Sequence, residues 1–270
     1  MSQGGASYGG SHGVGSGAAK AAAPAAPQTR EQQLLAQIKG NPAALMQMSD
    51  QDAADTVAAI EKLPIATDGT QRDCFVQRYI NLIGWDTRKP EVLADAAYER
   101  ARKQAGEDSM YHADKATNAK MGKQFNQQLM TGNQMYASEG VHGAGTYWVN
   151  NDAGNSGGYG KYQVKAFLNS KAKPITTWEL RQDYAQLRRK KPKLFAALRN
   201  AKRGDYGGDA ETMYPVLAAA RGKNVILNVG LSPTRNTKRS RGQYVVTLDR
   251  STLTMSSKTI TNADGYTPNW

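Results

Sequence analysis

Gly143-Ala144-Gly145-Thr146-Tyr147-Trp148 sets two glycines, one residue apart, in front of the strand-forming residues Thr, Tyr and Trp. Upstream stands Met110-Tyr111-His112-Ala113-Asp114. Nine residues beyond Tyr147 comes Ser156-Gly157-Gly158-Tyr159, and near the C-terminus lies Gly242-Gln243-Tyr244-Val245-Val246-Thr247-Leu248. Further runs rich in Val, Ile, Tyr and Thr occupy 162–167, 225–229 and 253–255. Gly-rich turns and helical stretches at about 177–189 and 210–221 separate them. Strands mixed with helices in this way predict an α+β domain over residues 106–270.

The chain before that domain reads differently. Residues 1–30 are nearly all Gly, Ala, Ser and Pro. They hold too little apolar surface to offset the entropy of ordering, which predicts a disordered tail, and His12 within it has no assigned role. From 31 to 105 the pattern is helical. Leu34, Leu35 and Ile38 recur at helical spacing before Gly40-Asn41-Pro42 breaks the run. Ser49 and Asp50 are N-cap candidates for a helix carrying Val57, Ile60 and Leu63, closed by Pro64. Phe75, Val76, Tyr79, Ile80 and Ile83 form a third stripe that ends at Gly84. A fourth helix is expected from about 90 to 104, with Pro90 in its first turn. The expectation is a small all-α module, with Cys74 beside the third stripe as a packing residue.

The 270 residues hold 35 Lys and Arg against 23 Asp and Glu, a formal charge of +12. No apolar run approaches the roughly 18–20 residues that cross a bilayer, and the N-terminus lacks the apolar core of a secretory signal. A soluble, cytoplasmic protein with no membrane partner is expected. One cysteine excludes an intramolecular disulfide and a Cys-built zinc site, and three histidines leave little for a His-built one, so no metal is expected. Phosphate-binding Gly-x-x-x-x-Gly-Lys-Ser/Thr, zinc-protease His-Glu-x-x-His and Gly-x-Ser-x-Gly signatures are all missing. The charge is local. Ten Lys and Arg against Glu179 and Asp183 fall within 173–203, and four more basic residues lie within 235–241. Together these two segments account for the whole excess. Such segments attract an acidic protein surface or a nucleic acid.

Taken in order and spacing, the four motifs resemble the ADP-ribosyltransferase superfamily, in the branch of poly(ADP-ribose) polymerases and diphtheria-like toxins. That branch has an apolar-apolar-His-Gly start, a Gly-x-Gly-apolar-Tyr-Phe strand, a Ser-x-x-Tyr turn and a Glu-Tyr-apolar-Val strand. Here Ala113 replaces the first motif's Gly, Trp148 replaces the Phe, and Gln243 stands where the family has its catalytic Glu. The resemblance covers about residues 108–256. It implies a split β-sandwich of two small, mostly antiparallel sheets around an NAD cleft, with NAD as substrate. By resemblance, Tyr147 and Tyr159 would sandwich the nicotinamide and His112 would bond a hydroxyl of the adenosine ribose. The Ala113 backbone and Ser156 would hold the carboxamide. Each residue also has a structural alternative: the tyrosines as packing, His112 as a strand-end histidine, Ser156 as turn chemistry.

Gln243 limits the chemistry. Cleaving the nicotinamide–ribose bond passes through an oxocarbenium-like state, which a carboxylate stabilises. Gln accepts a hydrogen bond through its amide oxygen but brings no negative charge. Losing one such group costs about 10²–10³ in rate. Asp249, six residues further along the strand, is about 20 Å away and cannot substitute. Three readings stay open for the family member: a slow mono-ADP-ribosyltransferase, a non-catalytic binder of NAD or a related nucleotide, or an enzyme whose Glu has been exchanged for its isostere. A reading from another class is a nucleic-acid-associated structural protein, such as a packaged phage component; the superfamily's occurrence in bacterial toxins and phage proteins bears on both origins. By analogy with the helical domain that precedes the catalytic one in the polymerases, 31–105 is a candidate restraint on NAD entry, against a role in packing alone.

Overall fold

The computed structural model describes residues 28–65, 73–114, 127–131, 145–150, 162–202, 213–227 and 244–261. The helices are α1 (Arg30–Ile38), α2 (Ala44–Gln47), α3 (Asp50–Glu61), α4 (Phe75–Leu82), α5 (Asp95–Ala105), α6 (Thr177–Lys190), α7 (Pro192–Asn200) and α8 (Tyr214–Ala220). The strands are β1 (Glu91–Leu93), β2 (Met110–Asp114), β3 (Thr146–Asn150), β4 (Tyr162–Leu168), β5 (Pro174–Thr176), β6 (Val225–Leu227), β7 (Tyr244–Thr247), β8 (Leu253–Ser256) and β9 (Ile260–Thr261).

Among the described residues all nine strands join one mixed sheet in the order β1-β8-β4-β2-β3-β7-β6-β5, with β9 beside β4. The edge pairs β1–β8 and β5–β6 are parallel and the others antiparallel. In place of two separate sheets, hydrogen bonding runs along a single path. Among the described residues, β2 and β3 are in register at Met110↔Asn150 and Tyr111↔Val149, and no pairing follows on the His112 side. By contrast β2 pairs with β4 over Met110 to Asp114, and β3 pairs with β7 over Thr146 to Val149.

Side chains alternate between the two faces of a strand, and the apolar residues divide accordingly. Met110, Trp148, Val164, Ala166, Val225 and Val245 lie on one face, with Leu129 and Met130 packed over them. Ile175, Ile226, Val246 and Leu248 lie on the other, against helices that include α1, α3, α4, α6, α7 and α8. The N-terminal helices therefore share one core with helices encoded more than a hundred residues later. Farther along the sheet α5 covers β4 on the side away from Val164, placing Tyr98 against Phe167 with ring centroids 5.5 Å apart.

Helices α1, α3 and α4 form where the apolar stripes fall, and their caps are local. Thr29 and Gln32 make a reciprocal capping box at α1, and the Ser49 hydroxyl accepts from the Asp52 amide at α3. The helix expected from about 90 to 104 is corrected. Glu91–Leu93 form β1, in register with Thr254, Met255 and Ser256 of β8, and the Thr254 hydroxyl donates to Glu91 Oε2 at 2.8 Å. Only from Asp95 does the chain become helical, ending at Gly106 with a left-handed φ of 67°. Pairing with a distant strand outweighs local helix propensity here, so the segment 31–105 is not all-α and supplies the edge of the sheet. Helix α7 was not foreseen. Its first free amides, those of Lys193 and Leu194, donate to the Asp50 carboxylate at 3.1 and 2.9 Å, a cap supplied by α3.

Arg250 is fully buried. Its guanidinium donates to the carbonyls of Gln128 and Leu129, both at 3.1 Å, and to the carbonyl of Asp86 at 2.9 Å. Burial pushes its pKa down, opposed by the Asp86 and Asp249 carboxylates. One side chain thus ties residues 127–131 and the segment after α4 to the turn Arg250–Thr252. Arg250→Leu strands three buried carbonyls, and urea unfolding is expected to show a loss of about 3 kcal/mol or more; an unchanged midpoint would remove Arg250 from this role.

Docking of α5 is acid-sensitive. Lys165 Nζ meets Asp95 at 2.7 Å and Glu99 at 2.6 Å, and these hydrogen bonds hold both carboxyls below their ordinary range. The unfolded chain binds those protons at higher pH than the folded one. The contribution is therefore complete above the ordinary carboxylate pKa of about 4 and is lost as pH falls through the lowered folded values. Lys165→Met is expected to flatten the acid limb of stability, read as urea midpoints between about pH 2 and 5.

Candidate active site

His112 and Tyr147 sit on adjacent strands, at the end of their pairing. Register between β2 and β3 ends at Tyr111↔Val149. Just beyond it, His112 Nδ1 lies 2.6 Å from the Tyr147 carbonyl oxygen. A carbonyl only accepts, so Nδ1 carries the proton. The imidazole spans the point where the backbone ladder stops, while β2 stays paired to β4 (His112↔Val164) and β3 to β7 (Tyr147↔Val246). The ring is buried at 6% exposure and packs on Trp148, with centroids 5.5 Å apart at 55°.

Two residues of the glycine motif have structural duties. Trp148 is fully buried and its indole N–H donates to Thr247 Oγ1 at 3.0 Å, so the ring fills the core with its polar atom satisfied. A Cβ on Gly145 would stand 2.3 Å from Val246 Cγ1, so the close approach of the chain to β7 admits only glycine without a shift.

Tyr147 is half-buried and packs against the helical core, in register with Val246 of that core. His112 contacts Trp148, which lies in the opposite core. The structure thus brings His112 and Tyr147 together through the Tyr147 backbone, with their side chains on opposite faces. The backbone of Ala113 lies in β2, in register with Gln163. Ser156, Tyr159 and Gln243 lie outside the described residues, as do residues 1–27 of the expected 1–30 tail and the basic segment 235–241, whereas Thr29 and Arg30 cap and open α1; β7 starts at Tyr244, the residue after Gln243.

Sequence reasoning missed Gln163, a fully buried amide beside Ala113, and Thr247, the acceptor for Trp148. A polar residue in a strand reads as outward-facing unless the opposite face is known to be covered. Among the described residues no group of three or more His, Cys, Asp or Glu is placed to hold a metal ion. Among the same residues no helix is long and apolar enough to cross a membrane.

The bond to the Tyr147 carbonyl fixes the tautomer. Long-range proton–nitrogen spectra at alkaline pH are expected to show His112 protonated at Nδ1; the Nε2–H pattern would contradict the geometry.

Compared with known proteins, the chain matches no family model, no curated protein and no solved structure.

Proposed function

We propose that this chain is an NAD-dependent mono-ADP-ribosyltransferase whose NAD site lies at the β2–β3 seam. The observation that carries the reading is spatial. Three motif-bearing strands, read from 110–114, 143–148 and 242–248, are immediate neighbours in the order β2-β3-β7, with His112 where pairing between the first two ends. Sequence proximity does not produce that arrangement, since β7 follows β3 by almost a hundred residues.

In this reading the bond between nicotinamide and its ribose breaks, and the electron pair leaves with nicotinamide. A nucleophilic atom of a macromolecular acceptor then bonds to the anomeric carbon and gives up its proton. His112 addresses the adenosine ribose, the Ala113 backbone and Ser156 hold the carboxamide, and Tyr159 stacks on the ring. Gln243 accepts from the ribose 2′-hydroxyl without supplying charge, so turnover is slow, and chain elongation, which the family performs with its Glu, is not expected.

A second reading, a non-catalytic NAD-binding or nucleic-acid-associated structural protein, rests on Tyr147. Its side chain serves the helical core, as a scaffold requires, and does not share a face with His112.

Transfer from labelled NAD into a lysate separates the readings. Gln243→Glu is expected to raise labelling by about 10²–10³ over the chain itself, by restoring the missing charge. His112→Gln, in a protein that melts normally, is expected to abolish it. Saturable NAD binding without label from either the chain or Gln243→Glu would select the second reading, and no NAD binding would sink the first.

A further inference from the structure

Helix α6 turns one face entirely outward. Thr177, Leu180 and Leu187 are buried, whereas Trp178, Arg181, Arg188 and Arg189 are exposed, Trp178 to 36%. On a helix of 3.6 residues per turn these four fall within about 100° of arc and extend about 16 Å along the axis. An indole and three guanidiniums therefore make one stripe.

Nothing on the helix neutralises it. Glu179 closes the capping box with Thr176, and Asp183, its side chain 12% exposed, pairs with Arg221 at 2.6 Å. Among the described residues Arg181, Arg188 and Arg189 take part in no ion pair. Cations of the neighbouring segment differ, because they hold the fold together. Lys191 donates to the Met48 carbonyl, Lys193 to Gln51 at 2.8 Å, and Lys202 pairs with Asp73. The helix macrodipole accounts for Arg188 and Arg189 in the last turn, but not for Arg181 in mid-helix or for an open tryptophan in the first turn.

We propose that this stripe binds single-stranded nucleic acid, with the guanidiniums on phosphates and Trp178 stacked on an unpaired base. Arginine meets phosphate through a planar fork, and an indole stacks on any base. At about 3.4 Å per nucleotide for a stacked strand, 16 Å accommodates about five nucleotides. An acidic peptide satisfies the arginines and leaves the indole without a role. A bilayer surface requires a broader apolar face than one indole beside the exposed Gln182 and Gln186. A duplex presents no open base face for stacking. The surface stands apart from the transferase reading, and its test contains no NAD.

The full chain is titrated into a labelled oligouridine of about twelve nucleotides, followed by fluorescence anisotropy at several salt concentrations. Saturable binding is expected. Replacing Arg181, Arg188 and Arg189 together by Gln weakens it at least about tenfold and lowers the log–log salt slope by about 2. Trp178→Ala weakens binding about tenfold with the salt slope kept, and Trp178→Phe recovers most of the loss. Binding that ignores the arginine variant, or no saturable binding, overturns the proposal. So does a neutral Trp178→Ala with polyglutamate or phosphatidylserine vesicles competing as well as oligouridine, which assigns the stripe to an acidic protein or a membrane surface. All four side chains are exposed, and matching thermal melts establish that the variants are folded.

Discussion

The end of β2–β3 pairing at Tyr111↔Val149, bridged beyond it by His112, is the constraint around which the molecule is arranged. A sheet whose ladder stops at its middle on one side needs support from its faces, and both faces supply it. On one, Trp148 and Val245 from the β3–β7 half pack with Met110, Val164 and Ala166 from the β2–β4 half. Trp148 heads the fully buried side chains by size; an aromatic of that size buries about 150–250 Å², or about 4–6 kcal/mol, against about 1–3 kcal/mol for two additional ladder bonds. The imidazole of His112 completes the join by bonding a carbonyl at the end of the ladder.

Support from the faces has a topological consequence. The helices covering β7 and β6 come from both ends of the chain, and α3 provides the cap for α7 through Asp50. Arg250, close to the C-terminus, holds carbonyls at 86, 128 and 129. Few of these contacts are local, so little of the architecture gains stability until remote segments meet, which is the condition for slow, cooperative folding. A site built on adjacent strands of such a sheet is rigid, because its neighbours on both faces are locked by unrelated parts of the chain.

Period and caps made much of this legible. The stripes through Leu34–Ile38, Val57–Ile60 and Phe75–Ile80 are helices, and the runs beginning at Tyr162, Val225, Tyr244 and Leu253 are strands. Illegible were features fixed by a distant partner. Glu91-Val92-Leu93 has nothing strand-like in its neighbourhood until β8 is beside it, and α7 lacks a local cap because its cap is Asp50. At the candidate site the adjacency of His112 and Tyr147 follows from motif order, but the face each side chain takes does not. Alternation from Trp148 sends Tyr147 to the helical side, and that depends on which face the bulkier indole fills.

The His112 face of the seam is largely apolar, and the buried acid that follows β7 is committed to the fold. Buried side chains on the His112 face of the central strands include Met110, Trp148, Val164, Ala166 and Val245, with the hydroxyls of Thr146 and Thr247 beside them. Asp249 follows β7, but it is buried, accepts from Arg88 at 2.6 Å and from the Ser251 amide at 2.9 Å, and so spends its charge on the turn that follows. Freeing it would cost that ion pair and leave Arg250 beside one carboxylate instead of two. The face is filled by its own side chains, with Leu129 and Met130 packed over it, and the buried imidazole is committed to the Tyr147 carbonyl.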